Sequence, residues 1–300
     1  KRGSIGKPQV SVRFEHALSQ PVRIPQYVGS VKYLELVNEM YSQDGIAPYV
    51  SEATLRNYRD KTDPELYPDV NWWDVISKDH ADNTRATLSV NGGSNVLRYA
   101  LVAGYYNENG ILARDKTKAW DSSLKVDRYT VRSNVDINIT SSTVLRINIG
   151  GYLQSRNAPP GDITDHRAFY NAMRIPPYIH PAIYADGKIP RIINKANPWA
   201  SLTQRGYERL NHSNIEALTS IEQDLKFVTP GLRLKLTYAF DKFSANSVTR
   251  AKNPDYYHPA TGRDYEGNLI TSIQANGEDF LGYAKDAKWG NQSVYVEATM

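Results

Sequence analysis

Residues 127–153, DRYTVRSNVDINITSSTVLRINIGGYL, decide the fold. They hold two runs of alternation, Tyr129, Val131, Val135, Ile137, Ile139 and then Leu145, Ile147, Ile149, Leu153, separated only by Thr140, Ser141, Ser142 and Thr143. Between the apolar positions stand Arg128, Thr130, Arg132, Asn134, Asp136, Asn138, Arg146, Asn148 and Gln154. A period of two puts these sets on opposite faces of a strand. The stretch therefore predicts an antiparallel hairpin with one apolar and one charged face. Periodicity leaves open which face points inward. In a soluble sandwich or barrel the apolar face fills the core, whereas in an outer-membrane barrel it meets lipid and the charged face lines a wet lumen.

The same alternation recurs on both sides of the hairpin. Upstream, Val10, Val12, Phe14, His16 and Leu18 predict a first strand, Ala86, Leu88 and Val90 a second, and Leu97, Tyr99, Leu101, Ala103 and Tyr105 a third, the last two joined by the tight turn Gly92-Gly93-Ser94-Asn95. Downstream, Ile215, Ala217, Thr219, Ile221, Leu225 and Phe227 predict a sixth strand and Leu232, Leu234, Leu236, Tyr238 and Phe240 a seventh, joined through Thr229-Pro230-Gly231. Residues 294–298 begin an eighth. In the first long connection, Ser30 is a plausible cap for a helix with Val31, Leu34, Val37 and Tyr41 on one face, and Gly45 a natural stop. Ser51 and Glu52 open a shorter helix carrying Leu55 and Tyr58, and Trp72-Trp73 reads as an anchor packing this connection onto the wall.

Three features favour the membrane reading. The connections run long, short, long, short, long, short, long, which gathers every short turn at one end and every long loop at the other, as in outer-membrane barrels. The apolar set of the third to seventh strands carries no Asp, Glu, Lys or Arg, and a basic residue there would cost about 2 to 4 kcal/mol at the bilayer midplane. His16 and Gln223 are its weak points. Tyr99 and Phe227 fall toward the turns, and Tyr105, Tyr129 and Phe240 toward the long loops, as girdle aromatics do. The charged face would crowd an eight-stranded interior. With an orphaned start and a last strand cut by the chain end, this predicts a segment of a larger barrel. The expected fold is all-β: a partial transmembrane antiparallel barrel of about eight strands, with long extracellular loops and short helices in the first.

Composition agrees. Hydrophobic residues make up 40% of the chain and charged residues 23%, ordinary for a folded protein. The longest apolar run, 99–106, is far short of the roughly 18 to 20 residues of a spanning helix. A net charge of +4, spread along the chain, gives no basic stripe and argues against nucleic acid. There are no cysteines, hence no disulfide framework or thiolate metal site. The 21 Tyr and 5 Trp against 6 Phe suit an oil–water boundary or a sugar-binding loop.

In order and spacing, several segments resemble the SusC/RagA family of TonB-dependent outer-membrane transporters. Lys1-Arg2-Gly3 with Gly6-Lys7-Pro8 looks like the close of its plug, and Val10 onward like its first barrel strand. Tyr33-Leu34-Glu35-Leu36-Val37-Asn38-Glu39 is similar to its loop helix. Trp72-Trp73-Asp74-Val75-Ile76, Leu88-Ser89-Val90-Asn91-Gly92-Gly93 and Tyr105-Tyr106-Asn107-Glu108-Asn109-Gly110-Ile111 follow its most recognisable run. Pro176-Pro177-Tyr178, Tyr184-Ala185-Asp186-Gly187 and Asn197-Pro198-Trp199-Ala200 look like its third extracellular loop. The resemblance implies residues 1–8 as the end of a plug domain and 9–300 as the first part of a plugged barrel of roughly 22 strands. It implies import of oligosaccharides or peptides, energy from TonB with ExbB and ExbD, a SusD-like lipoprotein lid and a place in the cell outer membrane of a Gram-negative bacterium. The TonB-contacting segment, most of the plug and over half the wall would lie outside these residues, which alone should transport nothing.

The rival readings are a soluble sugar-binding β-sandwich and another porin-like barrel. An enzyme is not expected: no serine elbow, zinc-helix motif, phosphate loop or dinucleotide fingerprint occurs. Asp162 with Asp165 and His166, and Asp255 with His258, are loop acids and histidines of the ordinary solvated kind. No cofactor or metal is expected. Loop aromatics Trp120, Tyr178, Tyr184 and Trp199 are the expected cargo contacts, because their faces can stack on a sugar ring or an apolar side chain.

Overall fold

The computed structural model describes residues 2–161 and 167–300. Its strands are β1 Gly6–Ser19, β2 Ala81–Gly93, β3 Leu97–Asn109, β4 Lys125–Asn138, β5 Thr143–Ala158, β6 Ile189–Pro190, β7 Gly206–Asp224, β8 Arg233–Ala251, β9 Tyr256–Tyr257, β10 Ile273–Ala275 and β11 Gly282–Thr299. Its helices are α1 Ser30–Gln43, α2 Glu52–Asp60, α3 Trp72–Ile76, α4 Arg167–Arg174 and α5 Pro198–Thr203. The eight long strands form one antiparallel sheet in the order β1-β2-β3-β4-β5-β7-β8-β11, a meander with no crossover. A small sheet of β10, β9 and β6 lies among the loops.

Register carries the expected alternation across the whole wall. One row reads Val10, Val90, Leu101, Ser133, Ile149, Ala217, Phe240, Val294; the adjacent row on the other face reads Ser11, Ser89, Val102, Arg132, Gly150, Glu216, Asp241, Ser293. Exposure shows which face is convex. Val12 is 75% exposed and Leu153 61%, whereas Asp136 is 5% exposed, Ser220 3% and Thr237 7%. Polar side chains crowd the inside of the curve, and apolar ones coat the outside. From β4 into the turn that follows it, the apolar set spans residues 129–139, ten steps of ~3.4 Å, or ~34 Å along the chain. At the usual barrel tilt this matches the ~25 Å apolar band of an outer-membrane barrel. Among the described residues no helix is long and apolar enough to cross a membrane.

The weak points of the outer face are satisfied locally. Gln223 lies at the turn end, accepting from Thr143 Oγ1 at 2.6 Å and donating to Ser142 Oγ at 3.1 Å. His16 Nδ1 lies 3.2 Å from Thr84 Oγ1 on the neighbouring strand.

Three strands differ most from the expectation. β7 starts at Gly206 and stops at Asp224, leaving Leu225 and Phe227 in the turn; β8 runs on to Ala251, leaving Phe240 well inside it; and β11 starts at Gly282. Beyond the apolar band, these strands carry Asn211, Ser213, Lys242, Ser244, Asn246 and Lys288 on their outer side. Alternation vanishes there while the backbone ladder continues, so periodicity could not see it.

The loops hold what the wall lacks, a dry core. Trp72 and Ile76 of α3 pack with Leu112, Ala172, Ile175 and Leu202, and Leu34 of α1 packs with Leu55 and Tyr58 of α2. Ser51 caps α2, its Oγ accepting from Thr54 N at 3.1 Å, as expected. Ser30 does not cap α1. Gly29 holds that position, and Ser30 instead ties the helix start to the loop, its N–H donating to Asp69 Oδ1 at 2.7 Å and its hydroxyl to Pro68 O at 2.7 Å. Gly45, at φ 70°, ends the helix as expected.

Candidate functional site

A wall with one wet concave face and a cap of loops above it offers two surfaces for cargo. The first is a cleft of about 360 Å³ on the inner face, lined by Arg132, Asn134, Asn148, Gly150, Glu216, Leu218, Ala239 and Asp241. These side chains come from four adjacent strands at neighbouring rows. Gly150 leaves its floor open, since a methyl group there would meet nothing closer than 3.8 Å. Toward the short turns the same face is ionic. Asp136 lies 3.3 Å from Arg2 and 3.8 Å from Arg98, and Glu222 lies 2.6 Å from Arg146 and 3.8 Å from Arg233.

The second surface is a cleft of about 550 Å³ between loops, lined by Asp115, Lys118, Lys188, Gln204, Lys252, Asp255, Tyr257 and Glu278 among others. Its walls are held by bonds between loops. Gln204 Nε2 donates to Asp115 Oδ2 at 2.7 Å and Lys252 Nζ to Asp279 O at 3.3 Å. Nearby, Arg263 clamps Asp63 and Glu65 at 2.6 and 2.7 Å across two hundred residues of sequence. This guanidinium holds the Asp63 carboxyl below its usual range.

The four expected cargo aromatics do not converge on one place. Trp120 stands beside the loop cleft, with Lys118 Nζ at 5.8 Å and Lys252 Nζ at 6.0 Å from its ring, and its Nε1 is buried without a partner. Tyr178 packs between Tyr33 and Tyr49, ring centroids 5.4 and 6.2 Å away, and its hydroxyl lies 3.1 Å from that of Tyr49. Burial raises its pKa, and it pushes the neighbouring Tyr58 up to about 12. Tyr184 is 3% exposed and its hydroxyl accepts from Ala260 N at 2.8 Å, so no face of its ring is open. Trp199 packs on Ile189, Ala200 and Tyr256.

The acid and histidine groups weighed for catalysis divide. Asp162, Asp165 and His166 lie outside the described residues. Asp255 ties two loop segments, its Oδ1 accepting from Gly277 N at 2.6 Å, and the His258 backbone N–H donates to Ser272 O at 2.9 Å. Among the described residues no group of three or more His, Cys, Asp and Glu is placed to hold a metal ion.

Sequence reasoning passed over His180, which is wholly buried. Its Nδ1 lies 2.8 Å from Pro181 O, its ring stands edge-on to Trp72 at 5.5 Å, and burial drops its pKa from 6.5 to about 4. It also passed over His212, Phe243 and Trp289, which meet on the inner face where the alternation has faded. They lie beyond the apolar runs that predict the sixth to eighth strands, so only the ladder pairing of the longer strands brings them together.

Comparison with solved structures places this geometry. The RagAB peptide importer in an "open-open" state superposes with a TM-score of 0.58 at 13% identity, over 99% of this chain and 40% of that one. The wall and its loops have the fold of the RagAB importer. A second structure, of the RagAB peptide transporter, matches at a TM-score of 0.50, 13% identity and the same coverage. The chain thus spans about 40% of the length of the RagAB chains it matches. No protein-family model and no curated protein matches the sequence. The RagAB-like fold bears out the expected architecture and leaves a sandwich with an apolar interior without support.

Proposed function

We propose that this chain is part of the wall of a TonB-dependent importer in the outer membrane of a Gram-negative bacterium, with residues 1–8 closing a plug domain and 9–300 forming barrel. One observation carries the reading. The apolar face of an eight-stranded meander is its exposed convex face, the polar face is concave, and every long loop leaves from the same end. A sheet with that outer face and two edge strands is stable in lipid only when further strands close it. The ionic row near the turns supports the plug assignment, because Arg2, ahead of β1, lies on the inner wall against Asp136.

Under this reading, a SusD-like lipoprotein covers the loop end and TonB with ExbB and ExbD supplies energy through parts outside these residues. The cargo is an oligosaccharide or a peptide, contacted by loop aromatics. Of Trp120, Tyr178, Tyr184 and Trp199, Trp120 has the strongest support, beside an open cleft with two ammonium groups at its ring.

These 300 residues hold no cysteine, so single cysteines placed in them, with any cysteine outside them replaced by serine, test the orientation. In the full-length protein, a membrane-impermeant maleimide should label Tyr265→Cys, in the loop after β8, on intact cells and leave Ser141→Cys, in a short turn, unlabelled until the cells are opened. Equal labelling of both, or the reverse pattern, overturns the proposal.

A further inference from the structure

On the inner face, above the cleft lined by Glu216 and Asp241, three aromatic side chains come together from three adjacent strands. His212 of β7 and Trp289 of β11 both face Ala245 of β8 in register, one from each side. Their strands are two ladder spacings apart, ~9.6 Å, yet the ring centroids lie 6.3 Å apart, so the rings lean together over Ala245, which is only 4% exposed. Phe243, two residues down the same face, lies 5.6 Å from His212. Trp289 keeps 48% of its surface open.

The next rows supply polar groups. Tyr152, Asn214, Phe243 and Asn291 form one row, and Gly150, Glu216, Asp241 and Ser293 the next, ~7 Å further down. Asn214 Nδ2 donates to Glu216 Oε1 at 2.7 Å. Glu216 and Asp241 face each other directly, and among the described residues neither forms an ion pair. Opposed like charges weaken a sheet, and a local rule broken with no ion pair to offset it marks a place kept for use.

We infer that Trp289, set against His212, which in turn packs on Phe243, is a stacking platform for a ring of an uncharged oligosaccharide whose hydroxyls are held by Asn214, Glu216 and Asp241. The inference rests on the importer reading and deepens it. Two observations favour a sugar over a peptide. β7 and β8 are paired on both sides, so their backbone N–H and C=O groups are spent in the ladder and cannot take a peptide as an added strand. The side chains of the rows below the platform are chiefly amides and carboxylates, which accept from hydroxyls; among the described residues Arg132 is the one cation lining the cleft, and Arg128 lies over the Tyr152 ring at 4.1 Å.

The test uses the full-length protein purified in detergent, with two probes: neutral glucan, xylan and mannan oligosaccharides of four to ten units, and a tryptic digest of casein. The expected result is retention of at least one oligosaccharide class, weakened tenfold or more in Trp289→Ala and Glu216→Gln and kept within about threefold in Trp289→Phe. All variants should assemble, shown by unchanged heat-modifiable migration. Retention of the peptides alone, retention of neither probe, or unchanged sugar affinity in Trp289→Ala overturns the platform. Peptide retention with the maleimide pattern intact would discard the sugar site and leave the importer standing.

Discussion

The wall and the loop cap solve the burial problem in opposite ways. In the cap, Trp72, Ile76, Leu112 and Leu202 exclude water by packing on one another, as in any soluble domain. In the wall the comparable residues, Val10, Leu101, Ile149 and Phe240, lie side by side in one row of the outer face and pack on nothing across from them. The cap carries its own core, whereas the wall, on the importer reading proposed above, takes the bilayer as its core. One chain therefore contains two kinds of stability, and substitutions in each should fail differently.

The sharpest way to separate them is Trp72→Ala. Loss of a large buried ring should cost about 3 to 5 kcal/mol and leave the wall inserted, so limited proteolysis should cut the loops while the heat-modifiable barrel persists. If the barrel fails to assemble, the two regions are not independent. Ile147→Arg is the converse, costing about 2 to 4 kcal/mol on the lipid face and lowering assembly. Asn148→Arg, one residue along and facing the inner cleft, should assemble normally; equal outcomes would erase the distinction between faces.

Acid should act on the cap first. The His180 pKa is lower folded than unfolded, so its neutral form stabilises the loop core fully above about 6.5, and that contribution is lost as pH falls toward about 4. Asp63, held down by Arg263, works in the same direction: its contribution is complete above the ordinary carboxylate range and fades below it. Loop amide protection factors, taken relative to the intrinsic exchange rate at each pH, should fall between pH 6.5 and 4 with those of the wall unchanged, and His180→Phe should flatten the His180 part of that profile. The smallest effect expected is Ser51→Ala, about 1 kcal/mol from the lost cap, read as faster exchange at the start of α2 alone.

What the sequence disclosed follows the same division. The wall was legible because an apolar outer face and a polar inner face impose a period of two, which residues 127–153 display almost without exception. Its upper third was not, since Ser213, Lys242 and Asn246 face water outside just as their neighbours face water inside. The cap was legible where local chemistry acts, at Ser51 and Gly45. It was illegible where burial is set by distant partners, as at His180 and Tyr184, whose surroundings come from other loops. The candidate site was least legible of all, because Trp289, His212 and Phe243 are neighbours only through ladder pairing.

On the importer reading proposed above, the strands that outgrow the apolar band form a stiff sleeve rising clear of the bilayer. Membrane insertion is settled below it and loop folding beside it, so side chains on its inside answer to neither requirement. Such a zone can change what it recognises without putting anchorage or assembly at risk, which would let one scaffold be retuned to new nutrients by substitutions at a few positions on β7, β8 and β11.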